Sequence, residues 1–188
     1  PKCFPPRKFC LRKVAGELGE KECPDGFRVL INNGVDGCQS VYHLHLHVMG
    51  GEVLPDTGDL VKPPEDPNEG TIFSKIVAGD IPSTEVYSDD SVYGFKDIAP
   101  MAAFHHVFIP KEKNGLSQLR KATDSQKKLL GHILRSAAQN GLKQCPKGFR
   151  IFINDGYNAG QTVYHLHMHM VGGEQLALTR VNGADIAD

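Results

Sequence analysis

The spacing of apolar and polar positions divides this chain into short elements. Residues 71–79 place apolar side chains at 72, 73, 76 and 77, the spacing of one helix face. Gly79 serves as the C-cap, and Ile81-Pro82 ends the helix. Residues 84–88 and 91–97 read as strands around an Asp89-Asp90 turn, and 104–110 as a strand stopped by Pro110. Thr123 or Asp124 caps a predicted helix over 125–140, with Leu129, Leu130, Ile133, Leu134 and Ala137 on one face and Gly141 as its stop. Residues 149–154 and 163–171 are two further strands, the second closed by Gly172-Gly173. The order helix, strands, helix, strands predicts an α+β fold with a mainly antiparallel sheet of about five strands and two helices, rather than alternating βαβ units.

An internal repeat changes the domain count. Residues 23–54 (CPDGFRVLINNGVDGCQSVYHLHLHVMGGEVL) align without gaps with 145–176 (CPKGFRIFINDGYNAGQTVYHLHMHMVGGEQL) at a shift of 122, with 19 of 32 positions identical. Residues 10–22 and 132–144 align at the same shift more weakly, and nothing before residue 10 resembles 71–131. The chain therefore divides into 1–54, a copy of the second half only; 55–70, a linker; and 71–188, a complete unit with a C-terminal tail. The half copy supplies one predicted helix (10–19) and two strands (27–32 and 41–49). Prolines and acids among polar residues mark PDTGDLVKPPEDPNEG as the linker.

Composition narrows the function classes. With 21 Lys and Arg against 22 Asp and Glu, the net charge is −1. That balance argues against a protein held to nucleic acid through its phosphates, which needs a basic surface. A small anion needs only a few local donors. No apolar run approaches the roughly 18 residues of a membrane span, and the first residues lack the apolar stretch of a signal peptide. The chain begins with Pro rather than Met, so a processed chain or a part of a longer one is expected. Five Cys without a CxxC pair read as reduced thiols of an intracellular protein, with one disulfide as the alternative. A cytoplasmic location is expected, with a nuclear pool allowed by the size.

The chemistry lies in HLHMH. On a strand, His165, His167 and His169 share one face while Leu166 and Met168 point to the other. Packing alone does not ask for three imidazoles in a row. Imidazole titrates near neutral pH, so the row can combine a nucleophile, a donor and an orienting group. A solvated polar face is one alternative. A zinc site is another, since His-x-His on a strand suits zinc, although no carboxylate or thiol lies beside either triad in sequence except Cys38, which has no counterpart in the second copy. Just before the strand, Gly160 lets backbone approach a ligand closely, and Gln161 and Thr162 supply donors. Amides and a hydroxyl beside imidazoles make a cradle for phosphate.

HLHMHMV with the preceding GQTVY resembles the motif of the histidine triad (HIT) superfamily. The likeness continues through IFSKIVAGDIPSTEVYSDD, VYGFKDIAP, FHHVFIPK and FRIFINDG, over about 71–174. It is closest to the histidine triad nucleotide-binding, protein kinase C inhibitor-like branch. The resemblance implies a HIT-like fold, a homodimer with a continuous sheet, a purine nucleotide (AMP-type) partner, and hydrolysis of nucleoside phosphoramidates or acyl-nucleotides without cofactor or metal. It makes His167 the nucleophile at the α-phosphorus. His169 would hydrogen-bond the phosphate or leaving group, His165 would orient the nucleophile, and His105 would pack behind the row. It assigns Asn154, Gly160, Gln161 and Thr162 to the phosphate and Asp97 to the ribose hydroxyls. Ile72, Phe73, Ile76, Ile81, Phe95 and Ile98 would sandwich the base, where their pattern alone suggests core. Thr162 stands where the branch usually has Ser, and the tail EQLALTRVNGADIAD lacks the Trp-containing ending of its best-known members.

The half copy keeps Asn32, Gln39, Ser40, His43, His45 and His47 but has no counterpart of Asp97 or of the base pocket. It is expected to be an incomplete second site. It would leave a sheet edge and an apolar helix face uncovered, so docking on the full unit as an intrachain pseudo-dimer is expected, with a homodimer as the alternative. Dinucleoside polyphosphate hydrolysis, a nucleotide-binding or scaffold role with little turnover, and a zinc protein are the other functional readings. Neither a membrane nor a nucleic acid is an expected partner.

Overall fold

The computed structural model describes residues 15–54, 60–66 and 69–177, and the backbone of 179–181 and 184–186. Residues 10–14 of the expected first helix, Cys3, Cys10, and positions 55–59 and 67–68 of the expected linker lie outside these. In chain order the elements are α1 (Glu17–Glu22), β1 (Phe27–Gly34), β2 (His47–Gly50), α2 (Ile72–Ala78), β3 (Glu85–Ser88), β4 (Val92–Lys96), β5 (Phe104–Pro110), α3 (Lys127–Gln144), β6 (Gly148–Asp155), β7 (Met168–Gly172), β8 (Thr179–Val181) and β9 (Ala184–Ile186). Seven strands form one antiparallel sheet in the order β2-β1-β6-β7-β5-β4-β3, and β8 with β9 makes a separate hairpin. No helix among the described residues is long and apolar enough to cross a membrane.

Local chemistry explains most element ends. The Thr71 hydroxyl accepts from the Ser74 amide, and Gly79 closes α2 at φ 85°, in the left-handed region. Thr123 and Gln126 form a capping box before α3.

The largest departures from the expected boundaries are these. First, α3 runs through Gly141 to Gln144 instead of stopping there. Gly141 is a contact residue, since a Cβ on it would lie 2.7 Å from the Phe149 ring. Second, α1 reaches Glu22, beyond the expected end at 19, and Gly19 packs on Phe27 as Gly141 packs on Phe149. Third, the strands expected over 163–171 and 41–49 begin only at Met168 and His47. The chain before Met168 is bent away from the ladder. The Leu166 amide donates to the carbonyl of Leu116, in the loop after β5, and the Gln161 side chain caps the Val163 carbonyl. In the first copy the His43 amide turns back to the Val41 carbonyl.

The sheet separates two layers. On one face α3 buries Leu130, Ile133 and Ala137 against Val29, Phe108, Ile151, Ile153, Met168 and Met170. On the other face α2 lays Phe73 over Phe95, Val107 and Ile109. Alternation along β5 and β7 puts His105 and His169 on this second face, with Val107 and Val171.

The register of β1 against β6 is self-reciprocal. Phe27 pairs with Asp155 and Asn33 with Phe149, so under the repeat shift each pair maps onto the other. Leu30 pairs with Phe152, its own counterpart, and an internal two-fold axis passes through that pair. Side chains obey the same axis. Arg28 Nε donates to Asn154 Oδ1 at 2.7 Å, and Arg150 Nε donates to Asn32 Oδ1 at 2.8 Å. The symmetry ends at the flanks, because β7 is covered by β5 whereas β2 is the edge of the sheet.

Candidate active site

The three histidines gather although only His169 lies in a strand. The His167 and His169 rings stand 4.9 Å apart, and Phe73 meets His165 and His167 edge-on at 6.0 and 5.2 Å. His165 and His167 are buried, which removes the solvated-face alternative.

Hydrogen bonds fix each tautomer. His167 Nδ1 lies 2.8 Å from the His165 carbonyl. A carbonyl only accepts, so Nδ1 carries the proton and Nε2 presents a lone pair. His165 Nε2 donates to the Pro110 carbonyl at 2.8 Å, and its Nδ1 faces the Thr71 hydroxyl at 3.3 Å. His105 Nδ1 accepts from the Met101 amide, which leaves Nε2–H to donate to His169 Nδ1 at 2.8 Å. His169 is thereby left with Nε2–H as a donor. Asp97 Oδ2 stands 3.5 Å from the same His105 nitrogen. The chain Asp97–His105–His169 sets the proton of the outermost triad ring.

Burial keeps these rings neutral. It pulls His165 down to about 4 against the lesser effect of its bond to Pro110. It also lowers His167, and lowers His169 well below the ordinary imidazole value, with the neighbouring histidines adding to the second shift. His105 is lowered by burial and drawn partly back by Asp97.

Beside the row lies a cavity of about 520 Å³ lined by Ile72, Phe73, Ile76, Ile81, Phe95 and Ile98, with Asp97 among them. All six expected base contacts therefore meet in one place. They divide by burial: Phe73 and Phe95 also belong to the core, whereas Ile98 is 97% exposed on the rim. An apolar residue left that bare gains from a ligand's cover.

The loop over residues 160–162 holds one correction. Gln161 was expected to offer its side chain to a phosphate. Instead it is wholly buried, its Oε1 accepts from the Gly156 amide, and its Nε2 donates to the Ser117 and Val163 carbonyls. Its donors are spent holding the loop closed. Gly160 sits in the left-handed region at φ 70°, and Thr162 is exposed at the loop surface. Asn154 Oδ1 is taken by Arg28, so Nδ2 is the atom it has left to donate.

Several contributors escape a sequence reading. Arg28 comes from the N-terminal half copy, lies 5.1 Å from the centre of the Phe152 ring, and adds positive charge near His169. Phe152 in turn stacks on His169 at 4.5 Å. Thr71 and the Pro110 carbonyl were read only as element ends. The one available signal was that Arg28 and Arg150 occupy equivalent positions in the repeat.

Asp97, His105 and His169 bring three ligand atoms within 4.8 Å of one another. Folding thus supplies the carboxylate that the sequence did not place beside the triad, and two nitrogens with one oxygen suit zinc. Two of those atoms are already joined in the His105–His169 hydrogen bond, so a cation there must displace the bond that sets the tautomer of His169.

Known proteins resemble this chain in sequence and fold. The family model described as scavenger mRNA decapping enzyme C-term binding matches residues 70–180, and the HIT domain model matches residues 10–54. A 14 kDa zinc-binding protein of Brassica juncea is 46% identical over 110 residues, which are 56% of this chain and 95% of that protein. The adenylylsulfatase HINT1 of Arabidopsis thaliana is 46% identical over 110 residues, 56% of this chain and 73% of its own. The crystal structure of a HIT family hydrolase from Legionella pneumophila Philadelphia 1 superposes with a TM-score of 0.55 and 34% identity, covering 57% of this chain and 96% of that one. A histidine triad protein from Clostridium difficile gives 0.53 and 36%, covering 56% and 92%. By its histidine row, its sheet and these relatives, the chain belongs to the histidine triad superfamily.

Proposed function

We propose that this protein hydrolyses purine nucleoside phosphoramidates or acyl-nucleotides through a nucleotidyl-histidine at His167. The observation that carries the reading is the 2.8 Å bond from His167 Nδ1 to the His165 carbonyl, which aims an Nε2 lone pair out of a buried, neutral ring. In the first step Nε2 bonds to the α-phosphorus and the bond to the leaving group breaks. A phosphoramidate protonated on nitrogen releases the neutral amine and an acyl-nucleotide releases the carboxylate, and His169 Nε2–H hydrogen-bonds the leaving atom or the phosphate while keeping its proton. Water then attacks the phosphorus, and the electron pair returns to Nε2. Asn154 Nδ2 and Thr162 Oγ1 hold the phosphate oxygens, Asp97 accepts from the ribose, and the apolar cavity takes the base. An apolar cavity offers little to tell one purine edge from another, so shape governs base choice. Docking of the half copy on β6 takes the place of a partner protomer and brings Arg28 to the site.

The Arabidopsis relative's name, adenylylsulfatase, supports transfer of an adenylyl group to water. A second reading, cleavage of dinucleoside polyphosphates, keeps the same nucleophile and changes the leaving group. The match of 70–180 to the decapping-enzyme model is the observation on its side.

The test is turnover of adenosine 5′-phosphoramidate beside a diadenosine polyphosphate. The phosphoramidate is expected to be the better substrate, and His167→Ala to lower turnover by about 10³-fold or more. Retained turnover in His167→Ala would overturn the mechanism. Tight nucleotide binding without turnover in the parent chain would leave a binding protein.

A further inference from the structure

The linker between the two copies is tied into the C-terminal unit. The chain leaving each copy crosses to the loop of the other. The Leu54 amide donates to the Asn158 carbonyl at 2.8 Å, and the Leu176 amide donates to the Asp36 carbonyl at 2.9 Å. Each bond maps onto the other under the repeat shift of 122. The internal two-fold therefore delivers the end of the first copy to the loop ahead of the C-terminal histidine row. Two further bonds hold the described linker residues there. The Tyr164 hydroxyl donates to the Val61 carbonyl at 2.8 Å, and Lys113 Nζ donates to the Glu69 carbonyl at 2.8 Å. Both donors are buried, whereas Tyr42, the counterpart of Tyr164, is 74% exposed. Burial pushes the Tyr164 hydroxyl up to about 12, so it keeps the proton that it donates.

So held, the linker walls a second cavity of about 270 Å³, whose lining includes Val61, Lys62, Thr71, Ile72 and Thr162. Ile72 also lines the 520 Å³ cavity, so the two adjoin. A phosphorus whose oxygen is held by Thr162 carries two arms. With the nucleoside in the larger cavity, the smaller one is the space at Thr162 for the leaving group. Its charge is one-sided. Glu69 also lines it, but that carboxylate acts, with Asp66, on the Lys113 ammonium. Lys62 is exposed and makes no salt bridge among the described residues. Pro63 restricts the backbone of Lys62 to extended conformations, and Pro64 fixes the residue beyond, so the strap holds the lysine in place.

We propose that the linker forms the leaving-group subsite of the His167 site, and that Lys62 selects a leaving amine carrying a carboxylate, the class of an amino acid joined to phosphorus through its nitrogen. The inference rests on the phosphoryl chemistry proposed for His167 and adds the substrate class to it. The carboxylate meets the Lys62 ammonium across the small cavity. His167 Nε2 bonds to phosphorus as before. The phosphorus–nitrogen bond of the donor, protonated on nitrogen, breaks with its electron pair going to nitrogen, and the amino acid departs with a neutral amino group. Lys62 binds the carboxylate and moves no proton.

The experiment measures binding by calorimetry to the full chain carrying His167→Ala, so that the ligands are not consumed. They are adenosine 5′-phosphoramidates bearing glycine or glycinamide on nitrogen, alike in shape and different by one negative charge. The glycine compound is expected to bind about three- to fivefold more tightly, the strength of one partly exposed ion pair. Lys62→Met should bring the ratio to one, and Lys62→Glu should invert it. Lys128→Met removes the same charge from an exposed position on α3, behind the sheet, and should leave the ratio as it was. Equal binding of the two compounds, a ratio that survives Lys62→Met, an equal loss in Lys128→Met, or binding of neither compound overturns the proposal. Turnover of unsubstituted adenosine 5′-phosphoramidate by the unaltered chain tests the chemistry of His167 separately. A chain that tells the two compounds apart but turns over neither would overturn that reading alone.

Discussion

The two copies of the repeat share sequence, loop geometry and ring orientation, yet they differ in cover. Tyr164 and Leu166 are 4% and 1% exposed, whereas their counterparts Tyr42 and Leu44 lie open. The cover comes from residues that occur once: β5 pairs with β7, α2 brings Phe73 against His165 and His167, and Leu116 receives the Leu166 amide. Local sequence is thus enough to close this loop and orient a histidine. Desolvating the row and setting an apolar cavity beside it requires a second set of elements. The low imidazole values of the C-terminal row begin with that burial.

After the loss of turnover with His167→Ala, the largest expected effect comes from the seam between the two regions. Arg120 pairs with the wholly buried Asp155 and also donates to the Pro24 carbonyl ahead of β1. Burial pushes the Asp155 carboxyl up, and Arg120 opposes that shift. Arg120→Ala strands the carboxylate and should cost about 3–5 kcal/mol in urea unfolding. A loss under 1 kcal/mol would show that the seam does not depend on this pair.

Acidification should act on the covered row. His165 has a folded value of about 4 against an ordinary 6.5. Between those values the unfolded chain takes up a proton that the folded chain refuses, so stability falls as pH drops through that window. For His165 alone the loss is about 3 kcal/mol. Chemical denaturation at a series of pH values measures it, and His165→Asn should flatten the curve. Turnover should hold steady near neutrality, because the nucleophile is already neutral there.

The reciprocal arginine bonds give a paired test. Asn154→Ala and Asn32→Ala each remove the acceptor of one Arg Nε, at about 1–3 kcal/mol of stability apiece. Asn154→Ala should lower kcat on a nucleoside phosphoramidate far more than Asn32→Ala does. Equal kinetic losses would mean that the two regions act as one site. The smallest effect belongs to Gly160→Ala, which places a side chain at φ 70° and should cost about 1 kcal/mol. Cys38 shows that the fold tolerates a side chain at the equivalent position.

Most of the fold was legible in the sequence. The apolar spacing of 71–79 placed α2, FHHVFIP matched β5 residue for residue, and Thr123 marked the capped turn that leads into α3. The failures share a cause. Gly141 was read as a stop because glycine ends helices, but it lies inside α3 so that Phe149 can approach. HLHMH was read as strand throughout because it alternates, but the Leu166 amide is drawn to Leu116 and the ladder starts later. Gln161 was read as a phosphate donor because amides donate, but its donors are spent inside the loop. Each error assigned a residue by its own chemistry when a distant partner had already engaged it.

By itself the sequence determined the repeat, the α+β order and the residue types of the site, because these depend on spacing and on side-chain chemistry carried locally. The tertiary structure decided the rest. Pairing β1 with β6 about the Leu30–Phe152 axis brought Arg28 to Asn154, and pairing β5 with β7 brought Asp97 and His105 to His169. It also decided which copy is buried. A histidine's proton follows the atoms it faces, and burial of a row depends on elements far away in the chain, so neither can be read from a local pattern.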